Sequence, residues 1–183
     1  MSSYDDGKDE IVAWIRQHFG SGSTCLDVGA CDGKWHSLLG DYLTMDAVEI
    51  WEPNVTYHQL QNKYRRVYCM DVDGLRYDWY DVIIFGDVVE HMHTDKAQRV
   101  LDYARERCGD MIIGVPFCYR QDAIYGNPYE KHIQDDLTPE LFGERYPGYE
   151  IITRPRHDYA YYHKTDAPLQ EKMQLTLVHL SIL

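Results

Sequence analysis

An apolar run that ends in a pair of glycines lies near the start of the chain. The run covers residues 23–28, and Gly29 and Gly33 follow it, four residues apart. An apolar strand that leads into a glycine turn and then a helix is how α/β folds build a nucleotide-sized pocket. Asp27 lies inside this run, where a carboxylate is costly unless something binds it. Glu49 ends a second apolar run 22 residues later, and an acid at that strand tip is placed to accept hydrogen bonds from ribose hydroxyls.

The spacing of apolar residues along the chain predicts alternating strands and helices. The predicted strands cover 23–28, 45–50, 66–70, 81–85, 110–115, 149–154 and 173–182. The predicted helices cover 7–19, 33–43, 53–63, 94–107 and 138–145, with Thr94 as the cap of the fourth. The last two strands have no helix between them, only the polar stretch 156–171. The sequence therefore predicts one α/β domain over residues 1–183, with a doubly wound, seven-stranded, mostly parallel sheet and an antiparallel C-terminal hairpin.

The composition argues against several classes of protein. The formal net charge is −12 and the isoelectric point is about 5.0, so the surface is expected to repel nucleic-acid backbones. No apolar run approaches the ~20 residues of a membrane span. The five cysteines show no metal-type pairing, which favours a reducing, cytoplasmic compartment. The expected partner is a small molecule, and the composition gives no indication of an oligomeric state.

The glycine spacing distinguishes between two cofactors that share this strand–turn–helix geometry. A dinucleotide fingerprint needs the pattern G-x-G-x-x-G, so that the backbone closes on a pyrophosphate. Here Ala30, Cys31 and Asp32 separate the only two glycines of the loop. Asp27 and Asp32 would repel a phosphate, but they suit a cofactor with a cationic, amino-acid-like part. A tight strand–helix turn without any ligand is the plainer alternative.

Residues 23–35 therefore resemble the first motif of the class I S-adenosylmethionine (SAM) methyltransferases, and the predicted order of elements resembles theirs over nearly the whole chain. Members of that family usually have a glycine where Cys31 stands. The resemblance implies a Rossmann-like methyltransferase fold in which the glycine loop contacts the methionine part of SAM, Glu49 the ribose and Asp71 the adenine amino group. The residues that it assigns to the cofactor are Asp27, Gly29, Ala30, Gly33, Glu49, Ile50, Asp71, Val72, Gly86 and Asp87. Core packing of Ile50 and turn capping by Asp71 are the alternatives.

Acids and a histidine follow the predicted fourth strand. Asp87, Glu90 and His91 stand at positions i, i+3 and i+4, so on one helical turn their side chains would point the same way. Two carboxylates and an imidazole that converge beside the cofactor are suited to a divalent metal. The alternative is a Glu-His pair that only shapes the pocket, as in many metal-free methyltransferases.

A polar loop over residues 116–135 follows the fifth strand and contains His132. Long loops inside compact domains are usually functional, and this one starts beside the tip of strand four, so His132 is predicted to fold over the pocket. The arrangement resembles the metal-dependent RNA 3′-terminal 2′-O-methyltransferases, which have two acids and a histidine after strand four and a later histidine. That resemblance implies Mg²⁺ or Mn²⁺ bound by Asp87, Glu90, His91 and His132, although the group has a glutamate where Asp87 stands.

Methyl transfer from a sulfonium requires an aligned acceptor and removal of a proton. His91 or His132 is a candidate base where it holds no metal, and His93 is the spare candidate. The acidic composition favours O-methylation of a sugar, glycan or other polyhydroxylated small molecule. The candidate aromatic platform for it comprises Tyr119, Tyr125, Tyr129 and the tyrosines of residues 159–162, and the alternative is that these are loop residues packed on the core. The alternatives are an RNA ribose 2′-O-methyltransferase, a nicotinamide oxidoreductase, and an inactive SAM-binding interaction protein.

Overall fold

A seven-stranded sheet forms the centre of the protein, and the computed structural model describes residues 5–165. The strands are β1 (Thr24–Val28), β2 (Thr44–Glu49), β3 (Arg66–Cys69), β4 (Tyr80–Gly86), β5 (Cys108–Pro116), β6 (Tyr149–Arg156) and β7 (Tyr159–Lys164). The α-helices are α1 (Lys8–His18), α2 (Lys34–Leu39), α3 (Glu52–Tyr57), α4 (Thr94–Arg105) and α5 (Pro139–Arg145). Single 3₁₀ turns lie at Leu60–Asn62, Val72–Gly74, Val89–His91 and Pro128–Glu130.

The strand order across the sheet is β3-β2-β1-β4-β5-β7-β6. Strands β1 to β5 pair in parallel, whereas β7 is antiparallel to both β5 and β6. This arrangement confirms the predicted doubly wound, mostly parallel sheet with an antiparallel C-terminal hairpin. The order reverses between β1 and β4, and ligands of open α/β sheets bind at such a reversal, beyond the carboxyl ends of the strands.

The central strands are mostly apolar because both faces of the sheet are covered. Along β4, Val82 and Ile84 pack on one face with side chains from α1, α2 and α3. Ile83 and Phe85 alternate with them and pack on the other face, against α4 and α5. Side chains of a strand alternate between its faces, so a parallel strand buried on both sides becomes a continuous apolar run. These two cores fix the strand tips that carry the site.

The described part of the sheet contains a strand that the sequence did not predict. Residues 173–182 lie outside the described residues, and β7 instead runs through Tyr159–Lys164, which were predicted to be part of a polar stretch. Tyr159 and Tyr161 pack in one core and Tyr162 in the other, and each is at most 3% exposed. For the tyrosines of residues 159–162 the structure therefore shows core packing rather than an acceptor platform, because tyrosine favours a pleated, half-buried surface and this run has become core.

Two helices are shorter than predicted, and one cap is wrong. The helix α3 ends at Tyr57 rather than near residue 63, since Gln59 adopts a left-handed φ of 51°. The helix α2 ends at Leu39. His93, not Thr94, precedes the first turn of α4, and the Thr94 hydroxyl donates to Gln134 Oε1 instead. No helix within residues 5–165 combines the length and the apolar character needed to cross a membrane.

Candidate functional site

A cleft lies over the carboxyl ends of β1, β2, β4 and β5. Eight of the ten residues that the sequence assigned to the cofactor line it: Gly29, Ala30, Glu49, Ile50, Asp71, Val72, Gly86 and Asp87. The cleft continues past Glu90 and His91 to a wall made by the loop between β5 and α5, which contributes Tyr119, Gln121, Asn127, Tyr129, Glu130 and His132. Asp27 and Gly33 lie next to the cleft but do not line it.

The loop after β1 has a backbone shape that strains one residue. Gly29 has a φ of 72° and Gly33 a φ of 80°, while Cys31 between them has a φ of 48°. A non-glycine side chain rarely adopts this left-handed conformation, and holding it costs on the order of 1–3 kcal/mol. Cys31 thus takes the conformation of the glycine that the resembled family usually has. A Cβ on Gly29 would lie 2.7 Å from Val88 Cγ2, so this position requires glycine for space as well.

Glu49 holds the glycine loop in place from the end of β2. Its Oε2 accepts the backbone N–H of Cys31 and its Oε1 accepts the backbone N–H of Trp51, each over 2.8 Å. Burial raises the pKa of Glu49, while these two backbone donors oppose the shift. A carboxylate offers about four lone-pair sites, so both oxygens can still accept hydrogen bonds from a diol in the cleft.

Asp27 is buried below the loop and supports it rather than facing the cleft. Its Oδ2 accepts a 2.5 Å hydrogen bond from the Tyr64 hydroxyl. Burial raises the pKa of Asp27 to about 7, although the Tyr64 hydrogen bond acts in the opposite direction. At neutral pH this carboxyl therefore titrates, which distinguishes it from an ordinary surface aspartate.

Asp71 follows β3 and lines the cleft, and both of its carboxylate oxygens have partners. Oδ1 accepts the backbone N–H of Asp73, and Oδ2 accepts Lys96 Nζ over 2.5 Å. The turn cap that was the alternative for Asp71 is therefore present in the structure. The adenine contact of Asp71 stays a prediction, and a ligand there would meet a carboxylate that Lys96 already neutralises.

The segment after β4 does not form the α-helical turn predicted from its spacing. Asp87 has a left-handed φ of 55°, and the turn that follows, Val89–His91, is a 3₁₀ helix. Asp87 is therefore not part of the convergent group of donor atoms, which among the described residues comprises Glu90, His91 and His132. The structure thus does not place Asp87 with the other predicted metal ligands.

Glu90 is the most unusual acid of the site. It is 1% exposed, and neither carboxylate oxygen has a hydrogen-bond partner within the described part of the chain. Burial and the nearby Asp87 raise its pKa well above the ordinary glutamate value. A buried carboxyl without a partner is expensive, so its position in the cleft indicates a cationic ligand or a proton that occupies it.

Two neutral imidazoles face this carboxyl. His91 Nδ1 lies 3.1 Å from the carbonyl oxygen of Lys131, and His132 Nδ1 lies 2.7 Å from that of Tyr119. A carbonyl only accepts, so each ring is protonated on Nδ1 and carries its lone pair on Nε2. Burial lowers the pKa of both histidines. The pKa of His91 falls to about 4, because burial is joined by electrostatic repulsion from His132. One donor atom from each of Glu90, His91 and His132 lies within 4.8 Å of the others.

The structure leaves His93 exposed outside the cleft, and it buries a lysine that the sequence did not indicate. His93 is exposed at the start of α4, so its side chain is not positioned to act as the base. Lys8, at the start of α1, is 3% exposed and lies 4.7 Å from the centre of the Trp35 ring. Burial lowers the pKa of Lys8 to about 8, and the Asp87 carboxylate is the main opposing influence. No local pattern predicts this burial, because charged residues in a first helical turn are normally exposed.

The fold matches that of methyltransferases of known structure. A SAM-dependent methyltransferase from Clostridium acetobutylicum superposes with a TM-score of 0.68 and 12% identity over 91% of this chain and 93% of that protein. The N-terminal domain of EvdMO1, determined in the presence of S-adenosylhomocysteine (SAH) and D-fucose, gives a TM-score of 0.66 and 12% identity over 90% and 84%. A Burkholderia thailandensis 1,6-didemethyltoxoflavin-N1-methyltransferase, with its substrate and SAH bound, gives 0.60 and 20% over 88% and 80%.

The similarity lies in structure rather than in sequence. No protein-family model matches the chain, and no curated protein matches it. The three solved structures nevertheless superpose on this chain over 93%, 84% and 80% of their own length. The chain thus has the fold of the class I SAM-dependent methyltransferases, which confirms the resemblance drawn from residues 23–35 at the level of the fold.

Proposed function

We propose that this chain is a SAM-dependent methyltransferase that methylates a hydroxyl of a sugar, glycan or other polyhydroxylated small molecule, with a divalent metal held by Glu90, His91 and His132. One observation carries the proposal: a fully buried carboxyl without a hydrogen-bond partner in the described residues faces the lone pairs of two neutral imidazoles inside the cleft. The similarity of the fold to that of a SAM-dependent methyltransferase supports methyl transfer as the reaction.

The cleft suits the cofactor chemically. Glu49 lies at the tip of β2 with lone pairs available for two neighbouring ribose hydroxyls. The cleft is lined by more acids than cations: Asp32, Glu49, Asp71, Asp87, Glu90 and Glu130 against Lys34 and Lys96. Such a lining favours a cationic sulfonium and disfavours a pyrophosphate. The same charges argue against the nicotinamide alternative.

The donor set fits a divalent metal. Each histidine has its Nδ1 beside a backbone carbonyl oxygen, which is how metal-ligating histidines are usually held. Two imidazoles and one carboxylate favour Mn²⁺ over Mg²⁺, since Mg²⁺ prefers an all-oxygen shell. When bound, the cation supplies Lewis acidity that makes a coordinated hydroxyl easier to deprotonate.

The loop between β5 and α5 provides a surface for the acceptor. Tyr119 and Tyr129 line the cleft and are partly exposed, at 38% and 49%. Gln121 and Glu130 also line the cleft, and Gln121 Nε2 donates to the Glu130 carbonyl oxygen over 2.6 Å. Aromatic faces next to amide and carboxylate groups suit a ligand that alternates C–H faces with hydroxyls. His132 joins this surface to the metal-ligand cluster.

An assay of SAH release tests the proposal. Purified protein is incubated with SAM, Mn²⁺ and pooled sugars and polyols, and the same mixture is run with EDTA. We expect SAH release that depends on an acceptor and is lost in EDTA. Full activity in EDTA would contradict the proposed metal site. Binding of SAH, with no SAH formed from SAM in the presence of any acceptor, would favour the inactive binding protein. Thermal stabilisation by NADH rather than by SAH would indicate an oxidoreductase.

A further inference from the structure

The two cations that line the cleft have different partners. Lys96 Nζ binds Asp71, which itself lines the cleft, so this charge is neutralised inside the pocket. Lys34 Nζ binds Asp5 Oδ1 over 2.7 Å, and Asp5 does not line the cleft. The Asp5 side chain is 88% exposed, whereas that of Lys34 is 24% exposed. The charge of Lys34 is thus countered from the solvent side.

The start of the described chain is held across this end of the cleft by three contacts. Asp5 binds Lys34, Asp6 binds Arg156 over 3.3 Å, and Lys8 Nζ lies 3.3 Å from the Tyr161 hydroxyl. Gly7 between them has a φ of 81°, and a Cβ on it would lie 2.7 Å from Pro155 Cγ. Residues 5–8 therefore form a strap that positions an exposed carboxylate on a cleft lysine.

Lys8 lies near Lys34. The buried ammonium of Lys8 and that of Lys34 repel each other, and Asp5, Asp27 and Asp87 are the acids that interact with Lys8. Two ammonium groups close together stabilise a carboxylate that lies between them. An exposed ion pair such as Lys34–Asp5 contributes little, so an incoming carboxylate can replace Asp5 at small cost.

We propose that Lys34 binds the α-carboxylate of the methionine part of the cofactor, and that Asp5 occupies this position when the cofactor is absent. The proposal rests on the proposed function, because it assumes a SAM-type ligand. That ligand has a ribose, for Glu49, and one carboxylate. Among the cations that line the described cleft, Lys34 is the one whose counter-charge lies outside it. Asp5 therefore acts as a competitor, and cofactor binding releases it from Lys34.

A pair of ligands isolates this contact. SAH carries the amino-acid part, whereas 5′-methylthioadenosine keeps the adenine, ribose and thioether but has no carboxylate. We expect Lys34→Met to weaken SAH binding about tenfold, the scale of a lost hydrogen bond between charged groups, with the affinity for methylthioadenosine unchanged. We expect Asp5→Asn to tighten SAH binding by about threefold, the scale of an exposed ion pair, and again to leave methylthioadenosine unchanged.

A double variant and a matched control complete the test, with all affinities measured by calorimetry on the full chain. In the Lys34→Met background, the further change Asp5→Asn should not alter SAH affinity, because the ammonium group that Asp5 binds is absent. Arg16→Met and Asp41→Asn each break an exposed pair between α1 and the turn after α2, neither residue of which lines the cleft, and they should leave the binding of both ligands unaffected. Equal weakening of both ligands by Lys34→Met, or no effect on either, would overturn the assignment. If wild-type protein binds neither ligand, the proposed function itself fails.

Discussion

The Glu49 carboxylate accepts the backbone N–H of Cys31 over 2.8 Å, and this contact joins the tip of β2 to the loop after β1. Cys31 is also the strained residue of that loop, with a φ of 48°. A single carboxylate thus stabilises the loop and presents its remaining lone pairs to the cleft. The shape of the glycine loop and the hydrogen-bond acceptors of the cleft are therefore coupled through one side chain.

Glu49→Gln should lower SAH affinity by about ten- to a hundredfold, since an amide accepts through one oxygen only and its NH₂ faces a backbone donor. Calorimetric titration with SAH measures this loss. Glu52→Gln, on α3 with its carboxylate bound to the Thr56 hydroxyl, is the matched control and should bind as wild type does. Unchanged affinity in Glu49→Gln would remove Glu49 from the cofactor site.

Cys31→Gly should raise the free energy of unfolding by about 1 kcal/mol, because glycine adopts a positive φ without steric cost. Urea denaturation measures the change. Cys69→Gly is the control: Cys69 lies in β3 without a positive φ, and glycine weakens a strand, so this variant should be less stable than wild type. Destabilisation by Cys31→Gly would show that the thiol contributes more than the strain costs.

Glu90→Gln should abolish the thermal stabilisation that Mn²⁺ gives the wild-type protein, since loss of one charged ligand weakens such a site by at least ten- to a hundredfold. Melting temperatures with and without Mn²⁺, in the presence of SAH, measure the effect. SAH affinity without metal should be unchanged. His132→Ala should behave in the same way towards Mn²⁺.

Without metal, the same Glu90→Gln variant should change how the stability of the protein depends on pH. The pKa of Glu90 is raised in the folded protein, so folding favours its protonated form. Wild-type stability should fall as the pH rises above the ordinary glutamate range, and Glu90→Gln should lack that part of the fall. Equal pH profiles of the two proteins would show that Glu90 already has a partner in the metal-free state.

Asp27→Asn should make the protein more stable than wild type at pH 8 but not at pH 3. Asp27 has a pKa of about 7 when folded, against 3.8 as the ordinary value. Between these two pH values the folded state keeps a proton that the unfolded state has lost, so wild-type stability falls as the pH rises through this window and stays lowered above it. The difference at pH 8 should be a few kcal/mol at most.

Chemical denaturation at several pH values measures the effect of Asp27→Asn. Asparagine keeps the carbonyl oxygen that accepts the Tyr64 hydroxyl, so the hydrogen bond is retained. Glu10→Gln, on the exposed side of α1, is the control and should follow the wild-type profile. If Asp27→Asn changed the free energy of unfolding by the same amount at all pH values, the cause would be packing rather than titration.

The sequence by itself determined the parts of this protein that depend on local chemistry. The apolar runs of β1, β4 and β5 identified buried parallel strands, because a strand covered on both faces is mostly apolar. The two glycines after β1 and the acid at the tip of β2 identified the position of the cleft. The predicted helix over residues 138–145 is found as α5, and the Thr138 hydroxyl before it accepts the backbone N–H of Leu141.

Tertiary structure alone decided what depends on partners distant in the chain. Tyr159–Lys164 became the strand β7 because β5 and β6 flank it, and no local pattern encodes that pairing. Asp87 left the predicted ligand group through a backbone conformation that residue spacing does not reveal. Lys8 became buried because Trp35 and Tyr161, far along the chain, lie against it. Spacing fixes which residues share a segment, whereas long-range packing fixes which segments meet and how each side chain is oriented there.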